Sequence, residues 1–117
     1  MLALIISPKN VAIDVELISD KAQHVKTKFL NEQELLDTAK AAPLTFLLYW
    51  CAKETLFKYL GIKGKSLKDD FFIPQFDADK KEGFFKGMID VHQLKEEINM
   101  KYFIKDNFVV VYTVYDE

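Results

Sequence analysis

The hydrophobic pattern changes character at Gly61: before it, apolar residues support an opening hairpin and then helices, and beyond it they support strands. Residues 2–7 read as a first strand, Pro8-Lys9-Asn10 as a tight turn, and residues 11–17 as a second strand. Ser19 or Asp20 can cap a helix over residues 21–30. Asn31 offers a second cap, with Glu34 three residues on in capping-box position. That second helix is short and fades near Ala41-Ala42. Pro43 suits the first turn of a third helix, which runs to about Leu60 and stops at Gly61. Its surface is apolar nearly all round, as expected of the central helix of a domain. Lys53, Glu54 and Lys58 stand out against that background.

In the second half, Gly61 to Gly64 reads as a loop, and Phe71-Phe72-Ile73 begins a strand that Pro74 interrupts. Residues 83–91 and 100–104 read as strands, Asp106-Asn107 as a turn, and residues 108–114 as the clearest strand of the chain. The expected fold is therefore α+β, with helices packed on an antiparallel sheet.

Length and composition narrow the class. The 117 residues make one domain, 1–117, and with 50% hydrophobic and 14% aromatic residues the chain can bury a core. A net charge of -2 argues against nucleic acid as the partner, since duplex binding requires a concentrated cationic surface. The single cysteine, Cys51, forbids an internal disulfide and suits the reducing cytoplasm. No apolar run approaches the ~20 residues of a membrane span, and the opening Met1 to Ile6 run lacks the basic flank of a signal peptide.

Candidate chemistry is concentrated in two stretches. Val11-Ala12-Ile13-Asp14-Val15-Glu16 puts Asp14 and Glu16 on one strand face, with Ile13 and Val15 pointing the other way, into a core. Trp50-Cys51-Ala52-Lys53-Glu54-Thr55-Leu56-Phe57-Lys58 puts Trp50, Glu54 and Lys58 on one helical stripe. If the stripe packs on the acidic face, three carboxylates converge, and a divalent cation is their natural neutraliser. Lys58 then meets a phosphate as a point charge. The plainer reading is a solvated acidic strand face and an ordinary Glu54/Lys58 helix pair, with Lys53 exposed or snorkelling. His24 and His92 read as structural or exposed, and Cys51 as a buried small hydrophobe.

These stretches, in this order, resemble the 4'-phosphopantetheinyl transferase superfamily. Residues 11–16 are similar to its G-[IV]-D-[IV]-E strand, and residues 50–58 to its W-x-x-K-E-[AS]-x-x-K helix. Lys26-Thr27-Lys28-Phe29-Leu30-Asn31-Glu32-Gln33-Glu34 resembles its K-F-L-[ST]-x-x-E region. Trp50 and Glu16 make the larger, surfactin-synthetase-activating type the closer match, over residues 1–75. The resemblance implies that Asp14, Glu16 and Glu54 ligate Mg²⁺, that Lys53 and Lys58 lie near coenzyme A phosphates, and that Glu54 and Lys58 are catalytic. It implies transfer of the phosphopantetheine arm from coenzyme A to a serine of an acyl or peptidyl carrier protein. Lys21, Lys26 and Lys28 either attract an acidic carrier protein or form a solvated face.

Two departures from the family pattern stand out: Ala12 occupies the usual glycine position, and Thr55 replaces Ala or Ser. More consequentially, members of the larger type have two similar halves, and this chain looks like the second half alone. Half-sized relatives oligomerise and build sites between subunits, so a homo-oligomer is expected, with Lys63, Lys65 and Lys68 as phosphate donors across the interface. The competing expectation is an inactive half-domain that serves as a binding or oligomerisation module.

Overall fold

A computed structural model describes residues 10–61, 66–91 and 94–115. The expected strand 2–7, most of the loop 61–64 and His92 lie outside these residues. Within them the chain forms β1 (Asn10–Leu17), α1 (Lys21–His24), a 3₁₀ turn (Lys26–Lys28), α2 (Glu32–Asp37), α3 (Pro43–Leu60), β2 (Phe71–Phe72), β3 (Glu82–Val91), β4 (Leu94–Lys105) and β5 (Phe108–Tyr115). The strands form one antiparallel sheet in the order β1-β5-β4-β3-β2. The α+β architecture is as expected, with helices packed on an antiparallel sheet.

Local rules account for most boundaries. Asn31 caps α2 in a complete capping box: its side chain accepts from the Glu34 N–H at 2.9 Å, and Glu34 Oε1 accepts from the Asn31 N–H at 2.9 Å. Pro43 opens α3, and Gly61 ends it in the left-handed conformation at φ 70°. Asp106 turns the β4–β5 hairpin at φ 53°, a conformation that aspartate tolerates. The helix expected over 21–30 is only four residues long. Val25 departs from helical geometry at φ -116°, the chain tightens into the 3₁₀ turn, and Phe29 and Leu30 then both enter the core. A four-residue helix with no side-chain cap has too few bonds to propagate against a β-branched residue. The helix after Asn31 also stops early, at Asp37, where Thr38 Oγ1 donates to the Glu34 carbonyl at 2.7 Å.

α3 lies across one face of the sheet and packs on β1, β5, β3 and β2. Beneath it sit Val109 and Val111 of β5, Met100 and Tyr102 of β4, and Phe85 and Ile89 of β3, all buried. The register pairs Asp14 with Val111 and Ala12 with Thr113, so these β1 residues belong to the helix-facing layer. This corrects the expected orientation of β1. The core lies on the Asp14 side, where Ala12 is buried, while Ile13 and Val15 are only partly covered on the far face. Both faces of β1 carry apolar residues, so alternation alone does not say which one the helix takes. Approach is tight at Gly87, where a Cβ would stand 2.9 Å from Leu56 Cδ1 and 2.8 Å from Met100 Sδ.

Candidate functional site

The α3-on-β1 contact seats a charged cluster at the edge of the packing layer, where β1 is the outermost strand among the described residues. Asp14 is 6% exposed, and its Oδ1 lies 3.0 Å from Lys58 Nζ, which also donates to the Ile13 carbonyl at 2.9 Å. Its other oxygen, Oδ2, is buried without a hydrogen-bond partner. Burial pushes the Glu16 carboxyl up to about 7, helped by the neighbouring Asp14 carboxylate and by repulsion from Glu54; the nearby Trp50 indole partly offsets this. Burial also raises Glu54, with repulsion from Asp14 adding to the shift and Lys58 opposing it. Asp14, Glu16, Glu54 and Lys58 thus share one electrostatic neighbourhood, as the spacing of the two stretches predicts. Among the described residues, no three His, Cys, Asp or Glu side chains converge closely enough to hold one ion as they stand.

Cys51 lies in the layer beside this cluster. Burial drives its thiol far up, with Asp14, Glu16 and Glu54 adding to the shift, so it stays protonated and is no nucleophile. Next to Glu16 opens a hollow of about 250 Å³, walled by Leu17, Val25, Leu47 and Trp50, with Ser19 and Lys21 at its edge. A larger depression of about 620 Å³, lined by Asp77, Lys80, Phe84 and Tyr112 among others, includes none of the cluster residues.

Lys53 is not part of the cluster. It is 0% exposed, and its ammonium donates to Glu34 Oε1 at 2.8 Å, to the Leu67 carbonyl at 2.8 Å and to the Phe71 carbonyl at 2.6 Å. All three donors are taken, which corrects the expectation of an exposed or snorkelling lysine and of a phosphate contact from this side chain. Glu34 is satisfied just as fully: Oε1 accepts from the Asn31 N–H and Oε2 from the Ile73 N–H at 2.8 Å. The readings of 26–34 and 50–58 missed this knot. Its trace in the sequence is a glutamate and a lysine set among residues that otherwise build the core.

The remaining sequence candidates are dispersed. Lys21 and Lys28 are exposed, while Lys26 lies 5.2 Å from the centre of the Phe46 ring. Lys68 is partly buried, and Lys63 and Lys65 fall outside the described residues. His24 is exposed and 3.3 Å from Asp20, in keeping with a surface role. No helix among the described residues is long and apolar enough to cross a membrane.

Comparison with known families agrees with the residue pattern. A family model described as the 4'-phosphopantetheinyl transferase superfamily matches residues 10–113. No curated protein matches the chain at a significant level.

Proposed function

Since the chain belongs to the 4'-phosphopantetheinyl transferase superfamily, we propose that it transfers the phosphopantetheine arm from coenzyme A to a serine hydroxyl of an acyl or peptidyl carrier protein, with Mg²⁺ as cofactor. The observation that supports this reading is the shared electrostatic neighbourhood of Asp14, Glu16 and Glu54, with an unpartnered buried oxygen on Asp14. Burial, and repulsion from Asp14, raise the Glu16 and Glu54 carboxyls, as in a site suited to positive charge, and an all-oxygen donor set suits a hard divalent cation. Asp14, Glu16 and Glu54 would hold the ion, which supplies neutralisation of the pyrophosphate charge. Lys58, about half exposed, would draw a phosphate oxygen once Asp14 is engaged elsewhere. Glu54, a carboxyl that burial makes more basic than usual, is the group suited to take the serine proton as the oxygen bonds to phosphorus. The bond to the leaving adenosine bisphosphate breaks in the same displacement.

Among the described residues, Lys58 is the one cation within ion-pair distance of these carboxylates. A second copy of the chain supplies the opposite, basic wall in this reading. The same observation favours the competing reading, an inactive half-domain that keeps the fold as a binding or oligomerisation module. The deciding experiment incubates the protein with coenzyme A, Mg²⁺ and several apo carrier proteins and follows the intact mass of each carrier. A gain of one phosphopantetheine group, dependent on Mg²⁺, is expected. No gain on any carrier would leave the inactive half-domain as the better account.

A further inference from the structure

The Glu34–Lys53 knot has a geometry that ordinary core stabilisation does not call for. Burying an ion pair is poor value for stability alone, because the desolvation cost often matches the attraction. Here the pair also engages the backbone of three separate segments: the start of α2 through Asn31, and the Leu67 and Phe71 carbonyls and Ile73 N–H around β2. Every one of these bonds is directional. The apolar contacts beneath α3 are not.

We infer that Lys53 is a positioning residue for the carboxylate cluster, holding the rotation of α3 about its axis so that the next residue, Glu54, faces Asp14 and Glu16. The helix is tied to β1 on one flank, where Lys58 reaches Asp14 and the Ile13 carbonyl. It is tied to β5 where Thr55 Oγ1 lies 3.2 Å from the Val111 carbonyl. Lys53 ties the remaining flank to β2 and α2. Without it, α3 keeps its polar bonds at Lys58 and Thr55, and the opposite flank can roll about that seam. A roll of ~15° moves an atom ~6 Å from the helix axis by ~1.6 Å. Ligand distances in a metal site hold to about 0.2 Å, so a roll of that size disables the cluster while leaving the core intact. The inference rests on the proposed metal-dependent transfer for its consequence in catalysis, although the rotation itself is measurable without metal or substrate.

Trp50 is the only tryptophan in the chain, and its indole lies beside Glu16 at the α3–β1 seam, where both line one hollow. In the metal-free, ¹⁵N-labelled protein it therefore yields one indole resonance that reports on helix rotation. Lys53→Gln is expected to displace that resonance and to weaken Mn²⁺ binding roughly 10- to 100-fold, the range seen when the outer partners of metal ligands are lost. The KM for coenzyme A should stay unchanged. Tyr102→Phe, which loses the hydroxyl bond to the Lys80 carbonyl at 2.8 Å, is the control for general destabilisation and should leave the resonance in place. If Lys53→Gln does not fold, Glu34→Gln/Lys53→Met carries the same measurements, since it leaves no unpaired buried charge and keeps an amide oxygen for the Ile73 N–H. An unmoved indole resonance with intact Mn²⁺ affinity overturns the inference. So does a raised KM for coenzyme A alone, which would mean a direct phosphate contact. Wild-type protein that binds no Mn²⁺ would instead defeat the proposed function, while the indole resonance would still decide the role of Lys53.

Discussion

At the scale of residues, the cluster is a set of charges placed where charge is costly, and its titration is the direct handle on it. Glu16 has a folded pKa of about 7 against an ordinary value of 4.5, so the folded protein holds its proton more tightly than the unfolded chain does. The stability that comes with this proton is fully present below pH 4.5 and is lost as pH rises through about 7. Thermal melts in the presence of a chelator should therefore show stability falling across that window. Glu16→Gln should flatten the fall, and an unchanged slope in that variant would exclude Glu16 as its source. Glu54→Gln removes a carboxylate that Asp14 repels, so its melting temperature should hold or rise slightly while transfer is abolished. Retained transfer by this variant would sink the assignment of Glu54.

Elements are held by caps and by close approaches, and each has its own measurable cost. Asn31→Ala breaks the capping box of α2 and should cost about 1 kcal/mol by urea unfolding, with no change in m-value. Loss well beyond that range would mean that Asn31 also supports the Glu34–Lys53 knot. Gly87→Ala inserts a methyl group where Leu56 and Met100 already crowd the backbone. Both neighbours end in flexible side-chain atoms, so the overpacking should cost ~1–3 kcal/mol rather than block folding. A neutral result would mean that α3 sits further from β3 in solution than this packing implies.

For the whole molecule, the decisive feature is that one sheet face is committed to α3 and the other is divided. Toward β3 and β4 the far face carries charges, with Lys86 paired to Glu97 and Lys101 lying over the Phe84 ring. Toward β1 and β5 it carries apolar residues instead, and Leu17, Phe108 and Val114 are exposed there. If a second copy completes the site, sedimentation should find an oligomer at the concentration where transfer is measured. A strictly monomeric particle with full activity would rule out the shared site.

The boundaries of α3, the Asn31 cap, the 106–107 turn and the strand-rich second half follow from rules that act over a few residues, and they were legible in the chain itself. So was the pairing of 11–16 with 50–58 as one charged neighbourhood, because period two on a strand and period 3.6 on a helix fix which side chains share a face. The α1 region was less legible, since the choice between a long helix and a short one ending in a 3₁₀ turn was made by burial of Phe29 and Leu30. The core side of β1 was not legible at all. It depends on which face α3 covers, and that is settled by pairing with β5 far along the chain. Lys53 belongs to the same class: adjacent to Glu54 in sequence, it lies about 100° around the helix from it, and only the arrival of Glu34 and of the Leu67–Phe71 backbone determines what it bonds. Sequence determined which groups share a face of each element. Tertiary structure decided which face is buried and which charge meets which, because burial and long-range pairing are properties of the assembled layers.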